Sequence, residues 1–81
     1  MITSEQIRAA RALLRWEQRD LARQSKISLP AIKRLETVKG PLHAQQRTID
    51  ALQGALETAG IEFVAGGVAL RAARVEPMAA G

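Results

Sequence analysis

One stretch decides the fold of this chain: residues 18–36, QRDLARQSKISLPAIKRLE. Leu21 and Ala22 give its first half an apolar edge, and Ile32 and Leu35 form an i, i+3 pair in its second half. Spacings of three and four residues place side chains on one face of an α-helix. The stretch therefore predicts two short helices that bury their apolar edges against a common core.

The residues between these edges predict a tight turn. Ser28 is a good N-cap, because its hydroxyl can accept from free backbone N–H groups of the next turn. Pro30 falls just inside that helix start, where its missing N–H costs nothing. Ala22 is small enough for close helix crossing, and Ile27 can fill the angle between the helices. These features predict a helix-turn-helix, a unit that lays its second helix into the major groove of DNA.

The spacing also carries a resemblance to a known family. The pattern Gln-x-x-x-Ala-x-x-x-x-Ile-Ser-x-x-x-Ile-x-x-Leu-Glu resembles the phage-repressor (XRE/Cro-type) helix-turn-helix family over residues 3 to about 59. The residues that carry it are Gln18, Ala22, Ile27, Ser28, Ile32, Leu35 and Glu36. The resemblance implies a mainly α, four-helix helix-turn-helix DNA-binding domain. In this sequence we expect a short C-terminal β-strand or hairpin after that domain.

Two positions depart from the family pattern. Lys26 stands where the family usually has glycine, so we expect a non-glycine residue with positive φ at this turn. Glu17 stands where the family commonly has a capping Ser or Thr. A carboxylate suits a helix N-terminus but repels a phosphate, so Glu17 is an unusual neighbour for a nucleic-acid backbone.

The charge distribution favours a polyanionic partner. The 81 residues include 12 basic and 8 acidic side chains, a net charge of +4. Between Arg15 and Arg47 lie eight basic and three acidic residues, a balance of +5 centred on the predicted helix-turn-helix. A basic stripe on such a motif is the electrostatic footprint of a DNA-binding protein. A domain of this size is marginally stable alone and gains from dimerisation.

Composition argues against several other classes. The absence of cysteine excludes disulfides and zinc fingers, and a lone histidine, His43, is assigned no role. The acidic residues are scattered and no glycine-rich phosphate loop follows a strand, so we expect neither an enzyme nor a bound metal or cofactor. With no apolar run long enough for a bilayer and no signal peptide, the sequence predicts a cytoplasmic protein without a membrane partner.

The segments around the motif complete a predicted helical domain over residues 1–60. Thr3 and Gln6 resemble a capping box at the start of the first helix, and we expect Trp16, at its end, to be core. An apolar period returns from about Gln45, with Gly54 indicating close packing. Three arginines, Arg8, Arg11 and Arg15, form a stripe that is either solvated surface or, at Arg15, close to a phosphate.

Past Gly60 the period changes from 3.6 to 2. Two β-prone runs around Ala65-Gly66-Gly67 predict a hairpin over residues 61–71, and an isolated hairpin is marginal in water. We therefore predict that two copies pair there into a homodimer. The predicted dimerisation residues are Ile61, Phe63, Val64, Val68 and Leu70. The remaining residues, 72–81, are predicted to form a disordered tail.

The resemblance assigns residues 28–36 as the recognition helix. Its predicted base-reading residues are Leu29, Pro30, Ala31, Lys33 and Arg34, and the predicted phosphate contacts are Gln18, Arg19, Arg23, Ser28, Thr37 and Lys39. Arg34 is expected to bind guanine O6 and N7 in a bidentate manner. The alternative for Arg34 is a salt bridge with Glu36 or Asp20.

The predicted function is sequence-specific binding of double-stranded DNA as a transcriptional regulator, with repression as the default output. A homodimer would read an inverted repeat with half-sites about one helical turn apart. The alternative is a protein-binding antitoxin or antiactivator that uses the helix-turn-helix surface or the β tail. Apolar Leu29 and Pro30 at the reading end suit a protein groove as well as a thymine methyl.

Overall fold

A computed structural model describes residues 1–71 and contains four helices followed by a two-stranded antiparallel hairpin. The predicted mainly α class with a short C-terminal hairpin is confirmed. The predicted tail, 72–81, lies outside the described residues. The elements are α1 (Ser4–Leu14), α2 (Gln18–Ser25), α3 (Leu29–Thr37), α4 (Gln46–Thr58), β1 (Ile61–Val64) and β2 (Gly67–Leu70).

Helix α1 begins with the predicted capping box. The Thr3 hydroxyl accepts from the Gln6 backbone N–H at 3.1 Å, and the Gln6 amide oxygen accepts from the Thr3 N–H at 2.9 Å. The helix ends at Leu14, two residues earlier than predicted, because Arg15 adopts a left-handed conformation with φ 58°. Trp16 then packs, partly buried, against the core.

The loop after α3 is held by the N-terminal segment. Backbone hydrogen bonds join the Ser4 N–H to the Gly40 carbonyl at 2.9 Å and the Leu42 N–H to the Ile2 carbonyl at 3.2 Å. The Glu5 carboxylate accepts from the Gly40 N–H at 3.1 Å. The N–H groups of Glu5 itself and of Gly40 lower the pKa of the Glu5 carboxyl below its ordinary value. These bonds fix the loop that leaves α3.

All six elements share one apolar core or pack against it. Both helices of the predicted motif contribute to this core, and β1 contributes Ile61, which has no exposed surface. The hairpin is therefore joined to the helical domain through the core rather than attached as a separate unit. The core residues are Ile7, Ala10, Leu21, Ile32, Leu35, Leu42, Leu52, Leu56 and Ile61.

Helix α4 corrects one expectation about Gly54. A methyl group added to Gly54 would meet no atom within 4 Å, so the interpretation that this glycine permits close packing is wrong. Within the described part of the chain, the glycine makes room for no neighbouring element. At the end of the helix, Gly60 adopts φ 109°, a conformation that favours glycine and turns the chain into β1.

The hairpin pairs Ile61 with Leu70 at its base and Val64 with Gly67 at its tip, and Gly66 takes φ 75° in the turn. The Gln6 side chain donates both amide hydrogens to the tip, to the Val64 carbonyl at 2.8 Å and the Gly67 carbonyl at 2.9 Å. The start of α1 therefore holds the tip of the hairpin.

Within residues 1–71, no helix has the length and apolar character needed to cross a membrane.

Candidate nucleic-acid interface

The turn between α2 and α3 has the backbone that the sequence predicted. Lys26 adopts φ 65° and ψ 21°, and its N–H donates to the Ala22 carbonyl at 2.8 Å. A left-handed conformation costs a non-glycine residue roughly 1–2 kcal/mol. The expectation of positive φ at this position is confirmed, and the turn stores strain that a glycine would avoid.

The start of α3 is capped by Ser28. Its hydroxyl accepts from the Ala31 backbone N–H at 3.3 Å, and Pro30 occupies the first turn, where its missing N–H leaves no bond unmade. The predicted cap is therefore present. The helix runs to Thr37, one residue beyond the predicted end at Glu36.

Helix α3 has one buried face and one exposed face. Ile32, Leu35 and Glu36 are buried, an i, i+3, i+4 set that fixes the rotation of the helix about its axis. The predicted base-reading residues fall on the other side. Lys33, Arg34 and Pro30 are exposed, and Leu29 and Ala31 are half-buried at the N-terminal end.

Arg34 forms no salt bridge within residues 1–71, in contrast to the alternative considered for it. The two acids proposed as partners are already engaged: Glu36 binds Arg11, and Asp20 binds Arg23. The guanidinium of Arg34 therefore extends from α3 without a carboxylate partner among the described residues.

A buried ion pair anchors α3 to α1. Arg11 binds the Glu36 carboxylate through two nitrogens at 2.7 and 2.9 Å, and their side chains are 18% and 4% exposed. Arg11 also donates to the Trp16 carbonyl at 3.1 Å, and Arg8 donates to the Glu36 backbone carbonyl at 2.8 Å. The interpretation of the arginine stripe as solvated surface is therefore wrong for Arg11. Arg8 is exposed, as that interpretation has it, although one of its nitrogens bonds α3. Both side chains hold the C-terminal half of α3.

Gln18 belongs to the same network. Its amide nitrogen donates to the Glu36 carboxylate at 3.0 Å, so one of its two hydrogens is used inside the protein. Only the second hydrogen remains for the predicted phosphate contact. Sequence reasoning did not find the pairing of Arg11 with Glu36. The available signal was that Glu36 follows Ile32 at i+4, on the apolar side of α3.

The other predicted phosphate contacts surround α2 and the end of α3. Arg19 donates to Glu17 at 3.0 Å and Arg23 to Asp20 at 2.7 Å, and both arginines are largely exposed. The Thr37 hydroxyl donates to the Arg34 carbonyl at 2.8 Å, and Lys39 is exposed in the following loop. Exposed ion pairs contribute little stability, so these arginines can exchange carboxylates for phosphates at low cost.

Asp20 and Glu17 play different parts at the start of α2. The Asp20 carboxylate accepts from the Glu17 backbone N–H at 2.8 Å and from Arg23, and these bonds lower the pKa of Asp20. The Glu17 carboxylate binds Arg19 instead. The Asp20 carboxylate thus caps the start of α2, and the Glu17 side chain lies at the surface.

A shallow cleft of about 300 Å³ joins the two predicted residue sets. Leu29 and Lys33 come from the base-reading set, and Gln18 and Arg19 from the phosphate set, with Glu17 at the edge. The fold thus brings the N-termini of α2 and α3 together on one surface. A larger hollow of about 740 Å³ lies elsewhere, between the N-terminal segment, α4 and the hairpin tip.

No known protein family, curated protein or solved structure matches this chain.

Proposed function

We propose that this protein is a sequence-specific double-stranded DNA-binding regulator of transcription, acting as a repressor. The proposal depends on one observation. Helix α3 presents Lys33 and Arg34 to solvent, while its opposite face is locked in the core and tied to α1 through Glu36. A rigid helix whose surface cations have no carboxylate partner among residues 1–71 has the chemistry needed to enter a major groove.

The neighbouring surface supplies the sequence-independent part of binding. Arg19, Arg23 and Lys39 are exposed cations on α2 and the loop after α3, on either side of the recognition helix in the chain. Each cation that neutralises a phosphate releases counterions and makes affinity dependent on salt. Phosphate contacts of this kind would fix the register of α3, and the base edges would determine sequence preference.

A homodimer on an inverted repeat completes the proposal. Two copies related by a two-fold axis would place two recognition helices in successive major grooves, about one helical turn apart. Of the predicted dimerisation residues, Ile61 is fully buried in its own core, and Phe63 and Val68 pack against that core. Val64 and Leu70, which are 44% and 48% exposed, are the residues with substantial apolar surface left for a second copy.

Selection from a random duplex library tests function and symmetry together. We expect an enriched motif with two inverted half-sites, and a gel shift on that duplex that survives excess random competitor. Enrichment of no motif, with equal binding to the selected and random duplexes, would contradict sequence-specific regulation.

A second candidate function is binding to another protein, as an antitoxin or antiactivator does. Apolar side chains near the reading surface favour it: Leu29 lines the cleft at the α3 N-terminus, Pro30 is exposed, and Val38 after the helix is 46% exposed. The same gel shift separates the candidates, because a protein-binding module would show no duplex preference.

A further inference from the structure

The hydrogen-bonding pattern of the hairpin shows which backbone groups of β2 face outward. The Arg71 N–H donates to the Gly60 carbonyl at 2.9 Å, so these residues form a hydrogen-bonded pair. Bonded and non-bonded pairs alternate along an antiparallel ladder. Ala69 and Gly67 therefore bond across to β1, whereas the N–H and C=O groups of Val68 and Leu70 point away from it.

These outward groups have no other hydrogen-bond partner among residues 1–71. Strand β2 is also unprotected in its chemistry, since its sequence Gly-Val-Ala-Leu contains no charge and no proline. Natural proteins protect exposed strand edges with charges, prolines, bulges or a covering helix, and an edge without such protection is a template for another strand. Helix α1 packs against β2 and bonds the hairpin tip through Gln6, but no residue within 1–71 bonds the outward backbone groups of Val68 and Leu70. Leu70, 48% exposed, adds apolar surface at the same place.

We propose that β2 pairs antiparallel with β2 of a second copy, with Ala69 opposite Ala69 of that copy on the two-fold axis. The inference rests on the homodimer of the proposed function and specifies its interface. In this register Val68 faces Leu70 of the other copy, and both outward-facing residues of each strand exchange backbone hydrogen bonds. If the two-fold axis passed through Val68 or through Leu70 instead, only the residue on the axis would form backbone hydrogen bonds with β2 of the second copy.

Charge selects β2 over β1 for this pairing. The central pair of the hairpin is Glu62 with Ala69. A symmetric pairing through β1 would set Glu62 opposite its own copy, and like charges directly opposite each other destabilise a sheet. Pairing through β2 sets two methyl groups there instead, and in the same register Arg71 lies opposite Gly67. The outer edge of β2 can therefore pair with the same edge of a second copy without placing like charges opposite each other.

Single-cysteine variants test the register, because the chain has no cysteine of its own. Ala69 and its copy would form a non-hydrogen-bonded pair with Cα atoms about 4.5 Å apart, within the range that a disulfide spans. We expect Ala69→Cys to oxidise to a covalent dimer at low micromolar concentration. The matched control, Glu62→Cys, lies on the same face of the neighbouring strand and should remain a monomer on a denaturing gel.

Light scattering of the unmodified protein gives the second readout, with a dimer mass expected. Ala69→Lys should raise the dimer dissociation constant at least tenfold, with the helical circular dichroism of the unmodified protein retained. Equal cross-linking of both cysteine variants, cross-linking of Glu62→Cys alone, or a monomer mass for the unmodified protein would each overturn the interface. DNA binding is measured separately by gel shift of the unmodified chain, so loss of this interface is distinguishable from loss of the proposed function.

Discussion

The helical motif and the hairpin satisfy their polar groups in opposite ways. In α2 and α3, backbone groups are bonded within the helices and their caps, and the buried carboxylate of Glu36 is bound by Arg11 and Gln18. The groups of α2 and α3 that remain available to a partner are exposed side chains. In the hairpin the side chains are mostly apolar, and the unmet chemistry includes the outward backbone groups of Val68 and Leu70 on β2, which have no hydrogen-bond partner among residues 1–71. The proposals accordingly assign the two surfaces different partners: a polyanion for the helical motif and a strand for the hairpin.

The largest effect is expected from removing the buried carboxylate of Glu36, which ties α3 to α1. Glu36→Ala leaves Arg11 without its carboxylate in a site where both groups are mostly buried, and breaking such a pair costs about 3–5 kcal/mol. We expect a loss near the lower end, roughly 3 kcal/mol, in urea unfolding, because Arg11 keeps some exposure. The matched control, exposed Glu62→Ala in β1, should change stability by less than about 0.5 kcal/mol. Equal effects would show that the motif is no better anchored than the hairpin.

The next largest effect concerns recognition rather than folding. Arg34→Ala should cost about 1–3 kcal/mol of discrimination between the selected and random duplexes, because the proposed bidentate contact to guanine would be lost. Arg19→Ala should reduce the affinity for both duplexes by the same factor and lower the slope of log affinity against log salt concentration by about one. Both residues are exposed, so thermal unfolding should change little. Gel shifts at several salt concentrations distinguish the two variants, and a uniform loss for Arg34→Ala would refute its assignment as a base reader.

A smaller effect is expected at the turn. Lys26→Gly should raise the free energy of unfolding by about 0.5–1 kcal/mol. Glycine adopts positive φ without strain, but its greater conformational entropy in the unfolded state offsets part of this stabilisation. Lys26→Ala removes the same charge but keeps the strain, so it is the control and should give no gain. Urea midpoints of the two variants compare them directly. A gain for alanine as large as for glycine would point to charge rather than backbone conformation.

The smallest effect is on pH dependence. Glu5 and Asp20 have lowered pKa values, mainly because backbone N–H groups donate to their carboxylates. A carboxyl whose pKa is lower in the folded than in the unfolded state stabilises the fold at pH values above its unfolded-state pKa, which is about 4. This stabilisation is lost as the pH falls through the folded-state pKa. We expect the urea midpoint to decline from about pH 4 downward, less steeply for Asp20→Asn. An identical decline in that variant would remove Asp20 from the explanation.

The sequence was most informative where local chemistry determines structure. The Thr3 and Ser28 caps and the change of period after Gly60 were predicted because each depends on a few neighbouring residues. The positive φ of Lys26 was expected from the family pattern, which usually has glycine there. The end of α1 was misplaced by two residues because nothing in the local sequence marks Arg15, rather than a glycine, for a left-handed conformation.

Long-range partners were the part that sequence could not give. Arg11 and Glu36 are far apart in the chain, and their pairing depends on how α3 crosses α1. Gly54 was misread for the same reason, since only the fold shows that no neighbour approaches it. Of the candidate site, the sequence predicted the exposure of Pro30, Lys33 and Arg34, whereas Leu29 and Ala31 are half-buried. The use of Gln18 inside the protein, and the cleft that Glu17 borders, required the relative placement of α2 and α3.

The bonds of Gln6 have a consequence for how this chain must be handled. One carboxamide caps the first helix through Thr3 and clasps the hairpin tip through the Val64 and Gly67 carbonyls. Trimming a few leading residues, or fusing a bulky tag directly before Thr3, would therefore loosen a strand pair that is some sixty positions away in the chain. An affinity handle that is meant to leave this clasp intact needs to stay clear of Thr3 and Gln6.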